Sequence, residues 1–244
     1  MSEVIIRGSL GNLWGELNLP EGAERPPLVI LSHGFGGTHA GHRDYADCFV
    51  RRGLATYNFD FCGGGPGSRS DGTMLEMSVL TEAADLNAIL DRFKGDGRFG
   101  KLMLWGGSQG GFVSACVAAQ RPGDVAALAL EYPAFVLQEH ARLRAEANGG
   151  IPEMEVVLGQ TIGRRYSEDA LSFDVFDVIG GYGGDVLILH GDRDSVVPLA
   201  CSQRAAWIYA AAELVVLPGQ DHGFTGQARD GAMAREAAFL LAHA

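Results

Sequence analysis

No apolar run in this 244-residue chain approaches the ~20 residues that a membrane-spanning helix needs. Basic side chains are in deficit: 19 Lys and Arg stand against 30 Asp and Glu, a formal net charge of −11. Phosphate binding needs clustered Lys and Arg, so nucleic acid and anionic membranes are excluded as expected partners. Cysteine is scarce too. Cys48, Cys62, Cys116 and Cys201 lie far apart and match no metal-ligand spacing. The opening stretch, Met1-Ser2-Glu3-Val4-Ile5-Ile6-Arg7, lacks the basic start, apolar core and small-residue cleavage site of an export signal. A cytoplasmic protein with free thiols is the expectation. There is no internal repeat and no low-complexity tract.

Glycine, by contrast, is plentiful, with 35 residues. One glycine-rich loop, Phe61 to Gly72, lacks the Gly-Lys-Ser/Thr ending and the directly following helix of a phosphate loop, which excludes that reading. A second cluster is more informative. Leu102-Met103-Leu104-Trp105 is a short apolar strand that runs into Gly106-Gly107-Ser108-Gln109-Gly110-Gly111, with a helix expected from Phe112 to Gln120. Strand, Gly-x-Ser-x-Gly and helix in succession are the context of a nucleophile elbow. The sharp turn strains the serine and requires small neighbours two positions away on either side, which Gly106 and Gly110 provide.

Hydrophobic residues make up 47% of the chain and charged residues 20%, a composition that supports a sizeable core. At this length an α/β chain is commonly one domain. Alternating segments 2–8 and 13–19 read as an antiparallel hairpin at a sheet edge. Leu28–Ser32, Leu54–Asp60, the elbow strand, Val125–Glu131, Val186–His190 and Leu214–Leu217 then alternate with helical segments. Continuous apolar runs of this kind mark strands buried on both faces. The fold class is therefore α/β: a mostly parallel sheet with helices on both faces, forming a single domain over 1–244. The regular alternation breaks at about 132–180, which is expected to form a small cap with a helix-like run from Phe135 to Ala147.

A serine hydroxyl needs a general base, and the base needs an orienting carboxylate. Of the seven histidines, only His222 lies in a loop after the last strand. The preceding strand ends in His190-Gly191-Asp192-Arg193-Asp194, where Asp192 and Asp194 compete. Asp194 lies further along, beside the next helix start, and is favoured. Asp192 reads as a turn-stabilising side chain. Ser108, Asp194 and His222 occur in the order this strand–helix architecture uses. An oxyanion hole needs two backbone N–H groups. Gln109 supplies one, and Phe35, in His33-Gly34-Phe35-Gly36-Gly37, is the candidate for the other.

These stretches, together with Gly219-Gln220-Asp221-His222, resemble the α/β-hydrolase superfamily over nearly the whole chain. Within it the sequence looks most like the cinnamoyl or feruloyl esterase group, on His33-Gly34-Phe35, Gly-Ser-Gln-Gly-Gly at the elbow, and Asp60 with a loop ending Ser70-Asp71-Gly72. Members often carry His before the nucleophile, where this chain has Gly107. The resemblance implies a serine carboxylic ester hydrolase working through an acyl-enzyme on small aromatic (hydroxycinnamoyl-type) or short acyl esters. It implies no metal or cofactor, and a monomer or homodimer. Gly34, Tyr166 and Phe135 are candidate substrate contacts, with Phe173 and Phe176 as further cap aromatics. Monoglyceride-lipase-like and peptidase-like acyl hydrolases remain alternatives, as does a non-catalytic binding protein of the same fold.

Overall fold

An antiparallel hairpin opens the chain: β1 (Ser2–Arg7) pairs with β2 (Asn12–Asn18), Ser2 opposite Leu17 and Arg7 opposite Asn12. The computed structural model describes residues 1–244. After the hairpin, strands alternate with helices: β3 (Leu28–Ser32), α1 (Arg43–Arg51), β4 (Ala55–Phe59), α2 (Val79–Phe93), β5 (Leu102–Gly107), α3 (Gln109–Gln120) and β6 (Ala127–Glu131). Next come α4 (Leu137–Asn148), a small hairpin of β7 (Met154–Val157) and β8 (Gln160–Gly163), α5 (Arg164–Leu171) and α6 (Val175–Val178). The main sheet resumes with β9 (Asp185–Gly191), followed by α7 (Leu199–Ile208), β10 (Ala211–Leu217) and α8 (Gly226–Ala242).

Eight strands form one sheet in the order β1-β2-β4-β3-β5-β6-β9-β10. Only the β1–β2 and β2–β4 pairings are antiparallel; the other five are parallel. Side chains alternate between the faces. Leu28, Ile30, Leu104 and Leu128 enter one cluster with α2 and α3. Val29, Leu31, Met103 and Ala129 enter the other, with α1 and α8. Period two with both faces apolar is what the continuous hydrophobic runs encode. Each large side chain so buried contributes roughly 1.5–3 kcal/mol relative to exposure.

The strand order reverses at β3, which has β4 on one side and β5 on the other. A crevice opens at such a switch point, outside the carboxyl ends of the strands. The loops after β3, β5, β9 and β10 converge there. The segment between β6 and β9 overlies it, and differs from expectation in two ways. Its first helix starts at Leu137 rather than Phe135 and ends at Gly149, a left-handed cap with φ +68°. Its middle forms the β7–β8 hairpin, which period two did not reveal because both strands are only four residues long. No helix is long and apolar enough to cross a membrane.

Candidate active site

Ser108 sits between β5 and α3 with φ 53° and ψ −120°, a region closed to most L-residues. The helix begins at Gln109, three residues before the sequence suggests, because Gly110 and Gly111 are already helical. Both flanking glycines are sterically required. A Cβ on Gly106 would run into the carbonyl of Gly110, and one on Gly110 into the carbonyl of Ser32. Gly107 is different. A Cβ there would meet Trp105, His42 and Tyr132 at ordinary van der Waals distances, so the backbone does not demand glycine.

Three loops bring Ser108, His222 and Asp194 into one hydrogen-bonded line. Ser108 Oγ lies 3.0 Å from His222 Nε2, and His222 Nδ1 lies 2.8 Å from Asp194 Oδ2. The His222 ring rests on Tyr132, with centroids 4.6 Å apart. The Asp194 side chain has no exposed surface. Its other oxygen, Oδ1, accepts the backbone N–H groups of Val196 (2.9 Å) and Val197 (2.8 Å). Burial alone would raise this carboxyl, but the hydrogen bonds from His190, His222 and the two amides hold it well below the usual carboxylate range. Asp192 faces away. It is exposed, and its Oδ1 accepts the Gly219 N–H at 2.6 Å. Asp221 pins the two loops together by accepting from Ser195 N and Oγ, each at 2.8 Å.

The loop after β3 runs directly beside the serine. A Cβ on Gly34 would stand 3.2 Å from Ser108 Cβ. His33 anchors this loop: Nε2 accepts the Phe61 N–H at 3.0 Å, so Nδ1 carries the hydrogen and donates to Gly34 O at 2.8 Å. Gly64 and Gly65 pack on His33 and on the Gly36 backbone, with no room for a Cβ. The glycine-rich loop after β4 is therefore a close-packed support for its neighbour. On the other side of Ser108, the first N–H groups of α3 have no partner within the helix and point at the same space.

A cavity of about 390 Å³ lies above Ser108. Phe35, Val136, Leu137 and Tyr166 give it apolar walls, with Val156–Leu158 of the hairpin, and Gln109 adds a polar patch beside the serine. His140 and Arg144 are its charged or titratable members besides the serine region. Leu137, His140 and Arg144 are spaced three and four apart on α4, a helical-face signal that singles them out once the helix start is known. A larger concavity of about 580 Å³ lies at the opposite end of the sheet, around Lys94, Gly95 and Lys101. It is remote from Ser108 and at the amino end of β5. No group of three or more His, Cys, Asp or Glu is placed to hold a metal ion.

One candidate substrate contact, Phe135, is placed differently from expectation, and Tyr166 falls where it was expected. Phe135 does not line the cavity. It is 3% exposed and packs into the core against Phe112 and Phe176, because the chain has not yet entered α4 and still points toward the sheet. Phe173 likewise packs on Phe112. Tyr166 does line the cavity, but its hydroxyl donates to Gln109 Oε1 at 2.7 Å and so is not free for a substrate. The Tyr166 ring also rests on Phe35, with centroids 5.4 Å apart.

Gln109 in turn donates from Nε2 to Glu82 Oε2 at 2.9 Å. Burial raises the Glu82 carboxyl from 4.5 to about 8, against the pull of that hydrogen bond. Glu131 and Glu236 lie together beneath the elbow and are also raised, first by burial. The folded chain thus keeps protons that the unfolded chain releases near pH 4.5, so the stability these carboxyls contribute is fully present below that pH and is lost as pH rises toward about 8. Calorimetric Tm is expected to fall between about pH 5 and about pH 9. Glu82→Gln, which keeps an acceptor for Gln109, should lessen that fall. A Tm profile parallel to the parent's would exclude Glu82 as a source.

The family model for serine aminopeptidase, S33, matches residues 23–171. A monoacylglycerol lipase of Mycolicibacterium smegmatis is 26% identical over 229 residues, covering 80% of each chain. Among solved structures, Est1E from Butyrivibrio proteoclasticus with bound ferulic acid superposes with a TM-score of 0.85 at 27% identity, covering 95% of both chains. The monoacylglycerol lipase of Paleococcus ferrophilus shares the fold, with a TM-score of 0.75 at 17% identity, over 95% of this chain and 99% of that one.

Proposed function

The chain belongs to the serine aminopeptidase S33 family of α/β hydrolases, and from that premise we propose that it is a serine carboxylic ester hydrolase acting on small aromatic or short acyl esters. The observation that carries this reading is the line Ser108–His222–Asp194 at the floor of a mostly apolar cavity. Ser108 Oγ attacks the ester carbonyl carbon while His222 Nε2 takes its proton. Asp194 orients the ring and stabilises the imidazolium. The N–H groups of Phe35 and Gln109 hold the oxyanion, where charge develops. His222 then protonates the leaving alcohol, and water, activated by the same imidazole, releases the acid and restores Ser108.

The cavity volume falls within the usual range for small ligands, roughly 300–1,000 Å³. Apolar walls suit an aryl or short acyl group, and the likeness to a feruloyl-bound relative points the same way. An aminopeptidase must seat a free α-ammonium. No acidic side chain lines this cavity, and Arg144 does, so a cationic terminus is disfavoured. A second reading, a lipase for longer acyl chains, draws on the exposed Val156 and Leu158 at the cavity edge.

A substrate panel separates these readings. Methyl ferulate and p-nitrophenyl butyrate are expected to turn over with kcat/KM at least tenfold above p-nitrophenyl laurate, about the discrimination that a misfitting apolar group gives. Alanine p-nitroanilide is expected to be inert. A preference for laurate would overturn the aromatic reading, and cleavage of the anilide would favour the peptidase. A fluorophosphonate probe should label Ser108, detected by mass spectrometry of the tryptic peptide. Labelling that spares Ser108 would remove the serine-hydrolase mechanism.

A further inference from the structure

His190 is the penultimate residue of β9 and has no exposed surface, and the ester-hydrolysis steps above make no use of it. Its Nε2 lies 3.0 Å from the carbonyl oxygen of Val197 and 3.3 Å from Asp194 Oδ2. Its Nδ1 lies 2.7 Å from the hydroxyl of Ser202, a buried residue of α7. Nε2 faces two acceptors and so carries the hydrogen of the neutral ring. The lone pair at Nδ1 then accepts the Ser202 hydroxyl hydrogen. One arrangement satisfies both nitrogens.

Asp194 therefore receives three hydrogen bonds and a fourth, longer approach, from the His190 Nε2–H that it shares with the Val197 carbonyl. Val196 and Val197 hold Oδ1, while His222 and His190 converge on Oδ2. The groups around this site add no cation. Tyr132 covers the His222 ring, Asp221 closes the loop beside it, and Cys201 approaches from α7. The carboxylate is thus held by hydrogen-bond donors, and the approach of His190 to Oδ2 is set by a ring whose tautomer the Val197 carbonyl and the Asp194 carboxylate fix and whose Nδ1 Ser202 satisfies.

We propose that His190 is a positioning residue for the hydrolysis: with Ser202 on its far nitrogen, its Nε2–H holds Asp194 Oδ2 in line with His222 Nδ1. The chain of contacts runs Ser202–His190–Asp194–His222–Ser108. This inference rests on the triad reading above. Without the His190 donor, Asp194 keeps its grip on the two amides but its second oxygen is free to swing about the side chain. The His222 ring then loses a fixed acceptor, and proton transfer from Ser108 slows with substrate binding untouched.

The test is a set of variants assayed on p-nitrophenyl butyrate. His190→Met, which fills the space without a donor, is expected to lower kcat roughly 10- to 100-fold, the worth of a hydrogen bond to a charged group, with KM little changed. His190→Gln places an amide N–H near the Nε2 position and should recover most of that loss. The far-downfield proton resonance of His222 Nδ1–H should persist in His190→Gln and broaden away in His190→Met. A role confined to packing would lower Tm without this split between variants. If His190→Met does not fold, Ser202→Ala carries the test: with Nδ1 left without its buried donor and the ring no longer held from behind, kcat should fall several-fold at constant KM. Unimpaired kcat in folded His190→Met, or in Ser202→Ala where only that variant folds, overturns the proposal while leaving the triad intact. Undiminished turnover by Ser108→Ala would instead bring down the triad reading and the proposal with it.

Discussion

Ser108→Ala is expected to lower kcat toward p-nitrophenyl butyrate by on the order of 10⁶-fold, the scale seen when a serine hydrolase loses its nucleophile. The change removes one oxygen. The strained backbone at φ 53° is kept, since Ala is no better suited to that region than Ser. The cavity walls and the N–H groups of Phe35 and Gln109 are also kept, so KM should move little. His222→Ala should cost about as much, because serine without its base is a weak nucleophile. The two losses should not add: the pair acts as a unit, and the double variant should fall to about the same residual rate. Steady-state kinetics with circular dichroism as a folding check measures this. Turnover within about a hundredfold of the parent in folded Ser108→Ala would place the chemistry elsewhere.

Asp194→Asn is expected to lower kcat by about 10⁴-fold, and the hydrogen-bond pattern says why. Oδ1 must accept two amides, so the asparagine oxygen is forced to that side. The NH₂ group then sits where Oδ2 was, facing His222 Nδ1–H and His190 Nε2–H, donor against donor. His222 escapes the clash by moving its hydrogen to Nε2. In that tautomer it no longer accepts the proton of Ser108. Asp192→Asn should leave kcat within about threefold, because an amide oxygen still accepts the Gly219 N–H. The reverse ranking of the two substitutions would show that the orienting carboxylate is Asp192.

Much of this site was legible before any coordinates, for local reasons. The elbow is written in glycines whose necessity is steric, and the strand ends are written in apolar runs that stop at polar loops. Loop order then leaves few choices for the base and the carboxylate. What escaped the sequence was set by tertiary contact. Phe135 and Tyr166 are both aromatics of one segment, and nothing in either neighbourhood says that one turns into the core while the other meets Gln109. His190 reads as a strand-end histidine until Asp194 folds back over it. Gly64-Gly65 reads as a plain glycine turn because its real demand, the His33 ring and the Gly36 backbone, comes from the loop after β3, some thirty positions away in the chain. The β7–β8 hairpin is short and half-exposed and lacks a regular alternation of apolar and polar residues, so its pattern is that of a loop.

The stretch between β6 and β9 leaves the sheet and returns to it at adjacent strands, Glu131 pairing with Leu189. Most residues that line the cavity come from that one excursion, with Phe35 and Ser195–Val197 added from the loops after β3 and β9. The cavity's shape is thus written mainly in a single block of the chain, whereas the triad is distributed over the whole frame. A relative's block could be transplanted between the same two strands provided it keeps Tyr132 against the His222 ring and the Ala134 N–H on the Ser108 carbonyl. A further condition is that its second helix again offers a hydroxyl to Gln109 as Tyr166 does.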